Sequence, residues 1–220
     1  MADIWAVFGT VELAHIVALS LTVSFAATAL AAVVGLPSGA ALAICRFPGR
    51  WALILLANGF LGLPPVIVGL GLYLTLSRSG PLGALGLLYT PGAMVVAQAI
   101  LAAPIVTALA HRAVEEPWEE YGGALRVEGA SRLRSIRMLL AIARRPVMTA
   151  VLAGFGRTIS EVGAVLIVGG NIAGYTRTMT TAIVLKTSEG DFGLALGLGL
   201  ILIGISIAVS AAAFVLGEKG

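Results

Sequence analysis

Charge is scarce in this sequence: Asp, Glu, Lys and Arg make up 11% of 220 residues, against 59% hydrophobic. A water-soluble domain of this size carries about a quarter charged residues, so this chain cannot clothe a surface in water and lipid must cover it. Aromatic residues are few, at 6%, while glycines number 28, a balance that suits helices packed closely through small residues. The single cysteine, Cys45, excludes a disulfide framework and any multi-cysteine metal site; beside Arg46 it reads as a free thiol. No G-x-x-x-x-G-K-[ST] loop is present, so the chain does not bind and hydrolyse ATP by that route. His15 and His111 are remote from Cys45 and from any acidic cluster suited to a metal, and no serine motif supports an intramembrane hydrolase. The N-terminus lacks the basic segment of a signal peptide: Asp3 and Glu12 precede an apolar run too long to be a cleaved one.

What is present is a series of apolar runs. About 20 residues cross about 30 Å of hydrocarbon, and the runs place spans near 14–44, 52–76, 91–110, 146–169 and 193–216. The expected fold is all-α: a single polytopic membrane domain over 1–220 with about five transmembrane helices. The segment 111–145 is the only long polar stretch. Arg46, Arg50, Arg112, Arg126, Arg132, Arg134, Arg137, Arg144, Arg145 and Lys219 fall on one side of this arrangement, and only Arg78, Arg177 and Lys186 on the other. Basic short loops stay cytoplasmic, so the N-terminus is expected outside and the C-terminus inside. Pro37, Pro64, Pro65 and Pro104 sit within spans, where each removes a backbone donor. They serve either bending for packing or a bent, glycine-flanked segment beside a pathway.

Residues 115–145 read EEPWEEYGGALRVEGASRLRSIRMLLAIARR. Pro117 is placed to start a helix, with Glu119 and Glu120 in its first turn. A break is expected near Gly129, with Ser131 capping a second, basic amphipathic helix. A basic surface helix held by anionic lipid would explain the arginines. The run Gly123-Ala124-Leu125-Arg126-Val127-Glu128-Gly129-Ala130-Ser131 resembles something more specific, the cytoplasmic loop of ABC-importer permeases, in which Glu-Ala-Ala, three residues, then Gly docks into the ATPase subunit. Gly123 stands where that family has Glu and Leu125 where it has the second Ala, which leaves Glu120 or Glu128 to supply the charge. The resemblance implies that 111–145 is the coupling segment and that Glu120, Gly123, Ala124, Leu125, Glu128, Gly129, Ala130 and Ser131 meet the ATPase.

A second stretch, GFGRTISEVGAVLIVGGNIAGYTRT at 154–178, resembles the oxyanion branch of those permeases, the sulfate, molybdate and tungstate transporters. LPPVIVGLGLYLTLSRSGPLGALGLLYTP at 63–91 most resembles the tungstate-type members. The implied function is an inner-membrane, multi-pass transport subunit, not an enzyme. It would hold no cofactor of its own and bind no nucleic acid. ATP would be used by a separate ATPase, substrate received from an external oxyanion-binding protein, and the path shared with a second permease copy. Tungstate is the expected substrate, with molybdate or sulfate as alternatives; a non-transporting membrane anchor and an intramembrane enzyme are the readings from other classes.

Arg157 and Glu161 are four apart and share a helical face. Ionisable groups at membrane depth pair with each other and face the bundle interior or water. The pair therefore either lines the substrate path or braces the fourth span. Ser160 and Asn171 are the accompanying path candidates, Asn171 through an outer loop whose Arg177, with Lys186, would meet acidic groups of the binding protein. Asn58, Gln98, Thr107 and Ser160 are uncharged polar groups expected mainly as interhelical hydrogen bonds.

Overall fold

The computed structural model describes residues 11–218, so Asp3, from the signal-peptide reading, and Lys219, from the orientation reading, lie outside the described residues. The first apolar run forms α1 (Val11–Ile44), continuous through Pro37. Its interior hydroxyls are satisfied within the helix: Ser20 donates to the Ile16 carbonyl at 2.7 Å and Thr28 to the Ser24 carbonyl at 2.7 Å. That internal bonding is what allows polar residues in an apolar span.

The second run is not one span. It breaks into α2 (Arg50–Gly59), a 3-10 turn (Phe60–Gly62) and α3 (Pro65–Leu76), bent by 102°. The cause is local: Pro64 and Pro65 lack N–H donors, and Pro64 takes an extended backbone that no helix continues through. The loop after α3 carries the short 3-10 turn Gly83–Leu85.

The third run is longer than expected. Helix α4 (Pro91–Val127) starts at a Thr90 cap, runs unbroken through Pro104 and Pro117, and projects well past the apolar stretch. Pro117 therefore does not start a helix. Each proline costs α4 one intrahelical bond, and the turns on either side hold it straight enough to continue.

Gly129, at φ +67°, then reverses the chain, and Ser131 caps α5 (Arg132–Ile142) by accepting from the Arg134 N–H at 3.3 Å. Helix α6 (Arg144–Ile159) turns away from α5 by 85°. The expected fourth span also breaks, at Ser160–Val162, into α6 and the short α7 (Gly163–Gly169). Helices α8 (Met179–Ser188) and α9 (Phe192–Glu218) complete the described chain. Among the described residues three helices are long and apolar enough to cross a membrane, or five if each bent pair is one span.

Helices α1 and α4 run parallel: the position a side chain would take at Gly35 meets Ala103 and Val106, and at Gly39 it meets Thr107, Ala110 and His111. Gly35 and Gly39 form a Gly-x-x-x-Gly face that lets the two backbones approach closely. Helix α6 runs antiparallel to them, with Gly154 against Val106 and Thr158 beside Ser24 and Thr28. The main apolar core joins Val23, Leu76, Met94, Leu101, Val165 and Val168 from α1, α3, α4 and α7.

Candidate functional site

The site lies at the break between α6 and α7. Arg157, in the last turn of α6, places Nη2 3.2 Å from Oε2 of Glu161. The two ends differ in burial: the Glu161 side chain is 3% exposed and that of Arg157 30%. Oε1 of Glu161 accepts the Ala164 N–H at 3.2 Å, closing the start of α7, and the Glu161 carbonyl accepts the Thr180 hydroxyl at 2.8 Å. Thr158, buried, bonds across to Thr28 at 3.0 Å. Glu161 is thus tied to three elements, its carboxylate to α6 and α7 and its backbone carbonyl to α8, while the Arg157 side chain stays partly exposed. Ala153, Gly156 and Ser160, at helical spacing beside Arg157, are all exposed, and nothing lies within 4 Å of a side chain built on Gly156. This is a small, open face with one fixed cation.

The second break meets the first. A side chain at Gly163 would lie 3.2 Å from Val66 and 3.7 Å from Pro65, so Pro64-Pro65 and Ser160–Gly163 are neighbours. Two non-helical segments side by side within apolar runs are tolerated in a membrane where protein or a water-lined path surrounds them, and discontinuous helices mark the sites of many transporters.

Of the four residues expected on the path, the structure brings three together. Arg157, Ser160 and Glu161 share the break, although the Ser160 hydroxyl donates to the Gly156 carbonyl of its own helix at 2.7 Å. Asn171 belongs elsewhere. It sits at φ +51° in a turn between Gly170 and Gly174, and its side-chain oxygen accepts from Arg177 Nε at 3.3 Å. Arg177 in turn pairs with Glu12 at 3.2 Å, and Lys186 with Glu189 at 2.8 Å. The hydrogen bond that Lys186 donates to Glu189 holds the lysine above its ordinary pKa. Both cations expected to await a partner's acids are therefore taken up inside the chain; the Glu12 contact, 165 residues away, has no local signal.

The polar segment forms a tip closed by backbone hydrogen bonds. Leu125 is buried with Ala40, Ala43, Ile44, Val114 and Leu139, so it points into the protein and not towards a partner. Glu120, Gly123, Ala124, Glu128, Gly129 and Ser131 are exposed and Ala130 is half-buried. The turn is fixed by Ala130 N–H to the Leu125 carbonyl at 2.9 Å and Gly129 N–H to the Arg126 carbonyl at 3.1 Å. Sequence reasoning passed over Val127, which is 90% exposed, and did not place Leu133, also exposed, on the surface. An apolar residue so exposed on a polar tip is the kind of anchor that a protein interface buries.

The uncharged polar residues divide. Asn58 does join two helices, accepting from Arg112 at 2.7 Å, whereas Thr107 bonds the Ala103 carbonyl of its own helix at 2.7 Å. Gln98 is 3% exposed, and its Oε1 has no hydrogen-bond partner among the described residues. A buried acceptor left unmatched costs about 1–3 kcal/mol. Gln98→Met, of similar shape, is therefore expected to raise stability by about 1 kcal/mol, read as a higher midpoint of thermal unfolding in detergent; a lower midpoint would show that the amide is matched.

No family model matches the chain. Among curated proteins, a probable anion ABC transporter permease of Haloferax volcanii is 42% identical over 191 residues, 84% of this chain and 82% of that one. The tungstate uptake permease TupB of Peptoclostridium acidaminophilum is 40% identical over 82% of this chain and 79% of its own. The molybdenum transport permease ModB of Azotobacter vinelandii is 33% identical over 75% and 76%.

Proposed function

The chain belongs to the permease subunits of anion ABC transporters, multi-pass membrane proteins that carry transport and not catalysis, and from that premise we propose that it conducts a tetrahedral oxyanion, tungstate, into the cell. The observation that carries the reading is Arg157 on its open, small-residue face. A fixed guanidinium offers a dianion charge-assisted hydrogen bonds, and Glu161, tied to the same guanidinium, keeps that attraction weak enough for release. TupB supports tungstate as the substrate; molybdate and sulfate are the alternatives, since no residue at the break measures the small size difference among these anions.

The remaining parts follow from this role. Two copies pack around one path, with the N-terminus outside and the basic tip inside. An external binding protein delivers the anion. A separate ATPase subunit grips the tip at Gly123, Ala124, Val127, Glu128 and Gly129, with Glu120 or Glu128 supplying the charge. Helix α4 carries the motion: unbroken from Pro91 to Val127, it touches α1 at Gly39 and α6 at Gly154, so displacement of its tip reaches the helix that holds Arg157.

The test is reconstitution with the ATPase and the binding protein in proteoliposomes. ATP-dependent tungstate uptake is expected, and failure to take up tungstate, molybdate or sulfate would sink the assignment. Val127→Asp puts a charge into the contact and is expected to weaken ATPase association at least about tenfold, with thermal stability unchanged because the side chain is exposed. Unchanged co-purification would remove Val127 from the interface.

A further inference from the structure

A second polar site lies far along α4 from the break. Where α1 ends and α2 begins, a cavity of about 360 Å³ is lined by Arg46, Arg50 and Arg126, with Glu115, Glu119 and Trp118, and borders the tip at Gly123. Three guanidiniums thus face two carboxylates. Among the described residues none of the three arginines forms an ion pair with a carboxylate; Glu115 lies instead 3.9 Å from His111. Arg50 is held in place by donating from Nε to the Leu42 carbonyl, with Nη2 3.4 Å from His111 Nε2. Arg126 is held over the Trp118 ring, 4.9 Å from its centre. Two positioned guanidiniums with spare donors, and a third beside them, form a fork suited to a planar or tetrahedral oxyanion. Helix α2 also begins in this lining, at Arg50, and no side chain caps it. The positive end of its dipole adds to the potential at the same place.

We propose that this cavity binds a phosphate group through Arg46, Arg50 and Arg126. The surroundings indicate how a lipid would present one. Phe47 and Trp51, adjacent in sequence to Arg46 and Arg50, are exposed, and aromatic side chains at such an edge sit at headgroup level. An acidic phospholipid would then place its phosphate among the arginines and its chains along α2. A free phosphate ion from solution has the same chemistry. The proposal does not depend on what the permease transports.

The full-length chain in nanodiscs separates these sources. In discs of phosphatidylcholine with a minor share of phosphatidylglycerol, native mass spectrometry should find phosphatidylglycerol retained in preference. The double variant Arg46→Gln/Arg126→Gln should weaken retention about tenfold, the loss of one charge-assisted contact or more. Arg46→Lys/Arg126→Lys, which keeps the charge, should recover part of it. Arg50 is left alone because it also ties α1 to α2. If free phosphate is the source, inorganic phosphate added to discs of phosphatidylcholine alone should change tryptophan fluorescence and raise the unfolding midpoint, with the glutamine variant unresponsive. A wild-type chain that responds to neither probe overturns the proposal, as does a glutamine variant that responds like wild type to both.

Discussion

Glu161→Ala is expected to cost the protein about 1–3 kcal/mol, the typical penalty for leaving hydrogen-bonding groups at a buried position unmatched, and to abolish anion uptake. The figure belongs to the carboxylate. At 3% exposure Glu161 satisfies Arg157 through one oxygen and the Ala164 N–H through the other, so its loss leaves a cation and a helix start unmatched together. Arg157, at 30% exposure, is partly screened, and its removal should act differently. In Arg157→Gln the carboxylate keeps its Ala164 N–H partner and the shorter amide still reaches towards it, so folding is expected to survive while uptake falls about tenfold to a hundredfold, equivalent to one or two charge-assisted contacts. Uptake in proteoliposomes and thermal unfolding in detergent, measured on the same preparations, separate the two roles. If Arg157→Gln unfolds as readily as Glu161→Ala, or transports at the wild-type rate, the guanidinium is a brace and not part of the path.

Gly39→Leu should prevent the bundle from assembling. A side chain there would begin against the Thr107 carbonyl, 2.7 Å from the Ala110 Cβ and 2.8 Å from the His111 nitrogen, so backbone and not a pliable side chain stands in the way. Overpacking in a close interface costs about 1–3 kcal/mol and sometimes more; Gly39→Ala should fall at the upper end, and leucine beyond it. Gly71→Ala is the control, since nothing lies within 4 Å of that position; it should change the unfolding midpoint little. Wild-type stability in Gly39→Ala would mean that α1 and α4 part easily, which would also remove the route from tip to Arg157.

Much of this was legible in the residues. The apolar runs mark the helices, the spacing of Arg157 and Glu161 marks their pairing, and Gly129 with Ser131 marks the turn at the tip. What was misread has a common origin in continuity. Taking Pro117 as a helix start cut α4 from its own register; carried through, Val114, Gly122 and Leu125 fall on one buried face, and Leu125 is seen to point inward. Conversely, 146–169 looks continuous because its composition is apolar, yet α6 ends at Ile159 and the Glu161 side chain bonds forward to the Ala164 N–H to start a new helix, with no proline at the break. Partnerships such as Arg177 with Glu12 depend on the assembled bundle, and no short window contains them.

The parallel pairing of α1 with α4 also bears on how the protein is made. Val11–Ile44 leaves the ribosome and enters the bilayer long before Pro91–Val127 exists to fill the notch at Gly35 and Gly39. Between them comes α2, none of whose residues is buried in the finished chain. For that interval α1 is tied to α2 through Arg50 and the Leu42 carbonyl, and its close-packed face at Gly35 and Gly39 waits on a later segment. Synthesis halted before Pro91 should therefore leave α1 inserted with its Gly35–Gly39 face uncovered, and a protease or a chaperone of the membrane would meet it in that state.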